Sequence, residues 1–326
     1  LPGCTQACLN DQKIYRQITM NRLNTLFFII IFLAPFLLFG QNIRKETTTY
    51  AVKDGQELKM DIYTSNDIGK VKKPCLIFVF GGGFKEGSRD AKTYHDYLQY
   101  FAERKFVVIS IDYRLGMKGQ KTPGPLNTKP LRNAIDLAVS DLYSATNYVL
   151  AHADTWNIDT QHILISGSSA GAITVLQADY SERDNKPIAD MLPETFHYSG
   201  VISFAGGIFS TEGLPSYTQK PAPTLFFHGS ADKLVPYDNT RLFKIGMFGS
   251  KSLTRRFRQE GYPYLFYSME DIGHAVAEYP MQDFLPEIEN FINDFVFDRK
   301  QWMIDIRFKD KLRQTDNSID PSSYYN

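Results

Sequence analysis

The sequence places a serine where an apolar run turns into a helical pattern. Residues 167–171 are Gly-Ser-Ser-Ala-Gly. They directly follow His162–Ser166 and lead into the periodic segment Ala170–Tyr180. At such a strand-to-helix corner the central serine takes a strained backbone, and flanking glycines leave room for it. Ser169 Oγ would then project at a helix N-terminus, where the dipole favours developing negative charge. The pattern predicts a nucleophile.

Two other structures would fit such a glycine-rich turn: a simple tight turn and a phosphate-binding loop. A phosphate-binding loop requires Lys followed by Ser or Thr after the second glycine. Ala172 and Ile173 stand there instead. We therefore favour the nucleophile.

A serine hydroxyl reacts near neutral pH only when a base takes its proton, so a histidine should converge on Ser169. His274 is the best candidate, because it follows the last predicted strand and Gly273 allows close approach. Asp232, in the loop after the apolar run Thr224–Phe227, is the favoured orienting acid. Asp238 and Asp271 remain alternatives for that role. The sequence contains six histidines: His95, His152, His162, His197, His228 and His274. We expect His228 to support the Asp232 loop by hydrogen bonding.

A run of three glycines, Gly81–Gly83, follows the apolar run Cys75–Phe80. Glycine lets backbone N–H groups turn toward a ligand without interference from a side chain. A flexible turn is the alternative, but beside a nucleophilic serine the run favours an oxyanion hole. Its predicted donors are the amides of Gly82, Gly83 and Ala170.

Strands and helices alternate along the chain, which predicts an α/β fold with a mostly parallel, doubly wound sheet. The turn signal Asp54-Gly55 predicts an antiparallel hairpin at its start. Predicted strands are Arg44–Val52, Leu58–Tyr63, Cys75–Phe80, Phe106–Ile111, His162–Ser166, Val201–Phe204, Thr224–Phe227 and Tyr264–Tyr267. Predicted helices are Tyr94–Arg104, Leu131–Ala153, Ala170–Tyr180, Asn239–Phe248 and Met281–Phe297.

The composition excludes several classes of protein. With 326 residues and 43% hydrophobic side chains, the chain can bury a large core, which excludes wholesale disorder. Thirty-six basic and 36 acidic residues balance, so the charge signature of a nucleic-acid binder is missing. Three cysteines cannot form a disulfide-dense scaffold.

The apolar run Leu26–Phe39 follows a short basic stretch after Met20 and precedes Gly40. This order is typical of a secretory signal peptide, while an uncleaved anchor or a buried helix are the alternatives. We expect residues 1–19 to be upstream translated sequence or an expression artefact and 20–40 to be the signal peptide. The catalytic domain would cover 41–310 and a flexible tail 311–326. The mature protein is then expected in the periplasm or secreted, without a membrane association.

Several motifs in this order resemble the α/β-hydrolase superfamily, and more narrowly the carboxylesterase and hormone-sensitive-lipase-like esterases and bacterial feruloyl and acetylxylan esterases. They are FGGGFKEGS, DYRLG, Trp156–Asp159, HILISGSSAG, HGSADKLVP and GHA. The resemblance covers roughly residues 50–300. It implies a triad of Ser169, Asp232 and His274, an oxyanion hole of Gly82, Gly83 and Ala170, and no metal or cofactor. Phe80 stands where the family usually has a bracing histidine, so the brace must come from elsewhere.

The chain has no room between its elements for a large cap domain, so we expect an open site roofed by residues 115–129 and 186–197. An open site favours acetyl or hydroxycinnamoyl esters of plant carbohydrate as substrates. The aromatic residues Phe84 and those within 209–217 are expected either to stack on a sugar or phenolic ring or to belong to the core. The partner is then a small-molecule or oligosaccharide ester. A general short-chain carboxylesterase and a serine exopeptidase of the prolyl-oligopeptidase type are the alternatives.

The signal segment gives a direct prediction. Export should be followed by cleavage near Gly40, because a small residue ends the apolar run there. Mass spectrometry of the protein purified from its host should find an N-terminus near Gln41. An intact Met20 N-terminus in the cytoplasmic fraction would contradict it.

Overall fold

The computed structural model describes residues 43–65, 71–124, 127–311 and 321–325. Its strands are β1 (Ile43–Lys53), β2 (Gln56–Ser65), β3 (Lys73–Val79), β4 (Val107–Ile111), β5 (Ile158–Ser168), β6 (Gly200–Phe204), β7 (Gly207–Ser210), β8 (Thr224–Gly229), β9 (Asn239–Leu242), β10 (Ile245–Gly249), β11 (Tyr264–Met269) and β12 (Met303–Phe308). Its helices are α1 (His95–Glu103), α2 (Lys129–Ala151), α3 (Ala170–Arg183), α4 (Ser250–Glu260), α5 (Pro280–Asp283), α6 (Leu285–Phe291) and α7 (Pro321–Tyr325). Short 3₁₀ turns cover Lys92–Tyr94, Pro187–Met191 and His274–Ala277, and a π turn covers Ile292–Phe297. The signal segment lies outside the described residues.

The predicted strands lie side by side in one mixed sheet of the order β1-β2-β4-β3-β5-β6-β8-β11-β12. Strand β2 runs antiparallel to both of its neighbours, and the other pairs from β4 to β12 are parallel. The first hairpin turns at Asp54 and Gly55, which both have positive φ, as a two-residue hairpin turn of this sequence requires. The predicted mostly parallel sheet with an N-terminal hairpin is therefore confirmed.

Helices cover both faces of the central strands, so these strands consist of continuous apolar runs. Every residue of β4, β6, β8 and β11 is buried. In the described ranges, no helix is both long and apolar enough to cross a membrane.

The predicted helix Asn239–Phe248 is wrong: the segment forms the hairpin β9–β10, which pairs with β7 in a second, three-stranded antiparallel sheet. Two features explain the difference. Gly246 and Gly249 weaken a helix, and their missing Cβ atoms make room for the backbone, since a Cβ at Gly249 would lie 1.7 Å from the Pro236 carbonyl oxygen. Pairing with β7, far away in sequence, then decides the conformation.

The predicted helix Met281–Phe297 is broken into α5, α6 and the π turn. Pro286 has no N–H to donate, and its ring clashes with the carbonyl four residues before it, so a continuous helix is interrupted near Phe284, where φ is −125°. Helix α4 and strand β12 lie where no element was predicted. The alternation of Ile304, Ile306 and Phe308 with polar residues is the signal that would have indicated β12.

Residues 321–325, in the segment predicted as a flexible tail, form the short helix α7. Residues 312–320 lie outside the described ranges, so flexibility of the tail as a whole stays a prediction.

Helix α3 carries two buried carboxylates, Asp179 and Glu182, beside Arg183. Arg183 Nε lies 3.6 Å from Asp179 Oδ1 and 3.1 Å from Glu182 Oε2, and His197 Nδ1 lies 2.5 Å from Glu182 Oε1. Burial raises the pKa of Asp179 to about 7, although Arg183 opposes the shift. The folded state therefore holds a proton there that the unfolded chain releases near pH 4.

This linkage predicts that the free energy of unfolding falls as pH rises from about 4 to about 7. Over that range the unfolded state binds fewer protons than the folded state, which keeps the Asp179 proton. Asp179→Asn has no carboxyl group to titrate, so it should not lose this stability as pH rises. The free energy of unfolding of the variant minus that of wild type should therefore increase by up to about 4 kcal/mol between pH 4 and pH 8. Urea unfolding across that range measures the difference. Asp190→Asn, at an exposed position, is the control for loss of a charge. Parallel pH curves for wild type and Asp179→Asn would rule the linkage out.

Candidate active site

Ser169 occupies the sharp turn between β5 and α3. Its φ of 50° and ψ of −114° lie in a region of backbone conformation that residues other than glycine rarely adopt. The Ser169 N–H donates to the Phe204 carbonyl at 2.8 Å, which ties the turn to the end of the neighbouring strand β6. Such a conformation costs on the order of 1–3 kcal/mol and persists only where the surrounding structure enforces it.

The two glycines of the turn are needed because backbone segments touch there. A Cβ on Gly167 would lie 2.3 Å from the Gly171 carbonyl carbon, and a Cβ on Gly171 would lie 2.0 Å from the Val79 carbonyl oxygen. Neither distance is possible for a real side chain. The Gly-x-Ser-x-Gly spacing is thus the spacing at which α3 can begin against the ends of β3 and β5.

The structure brings the three predicted triad residues together. Ser169 Oγ lies 2.8 Å from His274 Nε2, and His274 Nδ1 lies 2.7 Å from Asp232 Oδ2. Each residue follows the carboxyl end of a parallel strand: β5, β8 and β11. The alternative acids are occupied elsewhere, since Asp238 accepts from Ser252 and Asp271 pairs with Lys309.

Asp232 is held as a buried anion. Its Oδ1 accepts from the amides of Leu234 and Val235 at 2.9 and 3.0 Å, and its carboxylate is fully screened from solvent. Burial by itself would raise the pKa of Asp232, but hydrogen bonds with His228 and His274 outweigh it and hold the pKa well below its ordinary value. The carboxylate therefore stays charged at neutral pH.

His228 supports this loop, as the sequence predicted. Its Nε2 lies 3.2 Å from the Val235 carbonyl oxygen and 3.5 Å from Asp232 Oδ2, while its Nδ1 lies 2.8 Å from Ser250 Oγ. The side chain is completely buried. It connects the acid loop to the first residue of α4.

Ser168, the other serine of the motif, points away from the site. Its Oγ donates to the Ala277 carbonyl at 2.8 Å and is buried. This bond ties the turn that carries His274 to the turn that carries Ser169. The two adjacent serines therefore have different positions, and Ser169 is the one that meets the imidazole.

The glycine run lies directly beside Ser169. A Cβ on Gly81 would be 3.2 Å from Ser169 Cβ, and Gly82 and Gly83 take φ values of 122° and 60°. The Gly82 carbonyl accepts from the amides of Lys85 and Glu86 at 2.9 and 3.0 Å, which closes the loop into a tight turn. The Ala170 amide belongs to the first turn of α3, where helix N–H groups have no partner in the helix. Gly83 and Ala170 line the same cavity as Ser169, and Gly82 stands between Gly81 and Gly83 in the loop beside it.

Two tyrosines brace the glycine loop where the family's histidine is replaced by Phe80. Tyr113 Oη donates to the Phe80 carbonyl at 3.1 Å, and the two rings stack with centroids 4.5 Å apart. The Gly81 amide donates to Tyr94 Oη at 3.2 Å. Sequence reasoning missed both residues. Tyr113 belongs to the DYRLG motif, which is the signal that pointed to this position.

A cavity of about 230 Å³ opens at Ser169. Its wall is mainly apolar and includes Leu131, Ile173, Phe209, Val235 and Met247. As predicted, part of the 115–129 loop contributes, through Pro123 and Gly124. The predicted contribution of 186–197 is wrong, because Pro187 and Ile188 line a separate cavity. The β9–β10 hairpin and α7 take that place.

The aromatic residues proposed for ring stacking divide into two groups. Phe84 and Phe209 line the cavity. Tyr217 instead packs edge-on against Tyr180, Phe257 and Tyr262 and belongs to the core. Over the described ranges, no group of three or more His, Cys, Asp or Glu side chains is arranged to hold a metal ion.

The chain has the α/β-hydrolase fold, and the fold class predicted from the sequence is confirmed. Esterase 2 of Thermogutta terrifontis with bound propionate superposes with a TM-score of 0.60 at 23% identity, covering 78% of this chain and 95% of that one. Within the chain, residues 60–208, less than half of the sequence, match the BD-FAE family model. The matched segment contains the glycine loop and Ser169 and ends before Asp232 and His274.

Curated relatives include several esterases. The chain is 30% identical over 117 residues to fumonisin B1 esterase of Sphingopyxis macrogoltabida, which covers 35% of this chain and 21% of that protein. It is 29% identical over 110 residues to gut esterase 1 of Caenorhabditis elegans, covering 34% and 19%. The matches thus span about a fifth of the length of these relatives. The resemblance to esterases stated from the motifs is confirmed.

The geometry of the glycine loop predicts the effect of a single methyl group. A Cβ at Gly82 would lie 2.1 Å from the Glu86 carbonyl oxygen, so Gly82→Ala must push the loop out of place. We expect kcat for ester hydrolysis to fall about 10²-fold, the scale of losing one oxyanion donor, with a smaller change in KM.

Gly55→Ala is the matched control, because Gly55 also has positive φ but a Cβ there meets nothing within 4 Å. It should leave kcat unchanged. An unchanged kcat in folded Gly82→Ala would remove the loop from the mechanism.

Proposed function

We propose that the protein is a serine carboxylic-ester hydrolase that works through an acyl-enzyme. The observation that carries this proposal is the continuous hydrogen-bonded path from Ser169 Oγ through His274 to the buried Asp232 carboxylate, at the mouth of a cavity. The esterase relatives and the BD-FAE match support it.

In the first half of the reaction, Ser169 Oγ attacks the ester carbonyl carbon while His274 Nε2 takes the hydroxyl proton. The carbonyl oxygen becomes an oxyanion, which the amides of Gly82, Gly83 and Ala170 stabilise. The tetrahedral intermediate then collapses. His274 passes its proton to the alcohol oxygen, the alcohol leaves and Ser169 is acylated.

In the second half, water attacks the acyl carbon and gives its proton to His274 Nε2. Collapse of the second tetrahedral intermediate returns that proton to Ser169 Oγ and releases the acid. At both stages the imidazole becomes positively charged, and the charged Asp232 carboxylate at 2.7 Å stabilises it and keeps Nδ1 as a donor. Water and the ester supply every atom of the products.

For the substrate, we propose acetyl or hydroxycinnamoyl esters of plant carbohydrate. The mainly apolar wall around Ser169 suits an acyl group. Phe84 and Phe209 belong to that wall, where a phenolic acyl group would contact them. A general short-chain carboxylesterase is the alternative, and a serine exopeptidase is the second.

A substrate panel separates these alternatives. Acetylated xylan and methyl ferulate report the carbohydrate-linked esters, p-nitrophenyl esters of increasing chain length report a general esterase, and aminoacyl-nitroanilides report an exopeptidase. Turnover of p-nitrophenyl esters alone would restrict the function to a general short-chain carboxylesterase.

The N-terminal signal segment supports the further proposal that the enzyme acts outside the cytoplasm.

Replacing the nucleophile should abolish turnover. Ser169→Ala is expected to lower kcat by about 10⁶-fold, because members of a triad act as a unit. Covalent labelling by a fluorophosphonate probe should disappear with it. Ser168→Ala is the adjacent control and should still be labelled, since Ser168 Oγ is buried and bonded to Ala277. Labelling of Ser169→Ala would contradict the assignment.

A further inference from the structure

Helix α7 lies on the glycine loop, although it is separated from that loop by well over 200 residues of sequence. Tyr325 Oη donates to the Gly83 carbonyl at 3.0 Å. Tyr324 Oη donates to Glu86 Oε1, also at 3.0 Å. Both contacts are made with the segment that carries two of the proposed oxyanion donors.

Lys85 holds α7 from the other side. Its Nζ donates to the Tyr324 carbonyl at 3.1 Å and lies 5.7 and 5.9 Å from the ring centroids of Tyr324 and Tyr325. A cation over an aromatic face is attracted by the negative potential of that face. A helix of five residues is not stable by itself, so these contacts with the loop are what keeps it in place.

The fit between α7 and Gly83 is close. A Cβ at Gly83 would lie 2.4 Å from Tyr324 Cε1 and 3.1 Å from Tyr325 Oη. The two tyrosines thus occupy the space that a side chain would take at Gly83. The hydrogen bond from Tyr325 Oη to the Gly83 carbonyl is present only while α7 is docked.

Helix α7 also forms part of the cavity wall. Pro321 and Tyr325 line the same cavity as Ser169 and Gly83, together with apolar residues contributed by α2 and α3. Tyr325 therefore has two contacts with the site: its hydroxyl with the Gly83 carbonyl and its ring with the cavity.

We propose that Tyr325 is a positioning and specificity-determining residue of this active site, fixing the Gly83 peptide through its hydroxyl and limiting the size of the bound acyl group through its ring. The proposal rests on the proposed esterase function. It extends the site beyond the matched segment 60–208 to a helix at the far end of the chain.

The test uses the full chain and two substitutions that separate the roles. Tyr325→Phe removes only the hydroxyl, so kcat for p-nitrophenyl acetate should fall by about 3- to 10-fold while KM stays within about twofold. Tyr325→Ala also removes the ring, so the ratio of kcat/KM for p-nitrophenyl octanoate to that for the acetate should rise several-fold above wild type.

Tyr100→Phe is the matched control, because it removes a tyrosine hydroxyl that bonds Glu289 on the surface away from the cavity. It should change neither quantity. Wild-type kcat and chain-length preference in both Tyr325 variants would overturn the proposal. If the wild-type chain neither hydrolyses these esters nor reacts with a fluorophosphonate, the proposed function itself fails, and that outcome is distinct.

Discussion

The backbone contact between the start of α3 and the ends of β3 and β5 is the constraint on which the site depends. It forces Ser169 into a φ of 50° and requires glycine at 167 and 171, where a Cβ would come within 2.3 Å of backbone atoms. The cost of that strain is local, whereas the packing that enforces it is spread over buried parallel strands. A nucleophile held this way cannot relax toward the neighbouring imidazole or away from it, so its geometry is set before substrate arrives.

The sequence was sufficient for what depends on local pattern and on strand-end topology. Apolar runs predicted the buried strands, and the rule that parallel strands present their carboxyl ends at one edge placed Ser169, Asp232 and His274 together. Asp232 was chosen over Asp238 and Asp271 from its strand-end position alone, and the distances in the structure agree with that choice. The catalytic roles of these residues remain predictions until variants are assayed.

What the sequence could not indicate depends on contacts between distant segments. The hairpin at residues 239–249 has a helix-like composition in part, and only pairing with β7 makes it a sheet. Tyr113 and Tyr94 replace a bracing histidine through contacts that no spacing rule connects to Phe80. Helix α7 is five residues long and carries no periodic signal, so its place at the glycine loop is visible only in three dimensions.

The order of the strands also has a consequence for how the chain acquires its activity during folding. Ser169 and His274 are 105 residues apart, and Asp232 and His274 are 42 apart, so the path between them closes only after β11 has paired with β8. Long-range parallel pairing is slow because a large loop must be ordered before any contact rewards it. Recovery of activity during refolding would therefore report the pairing of β11 with β8.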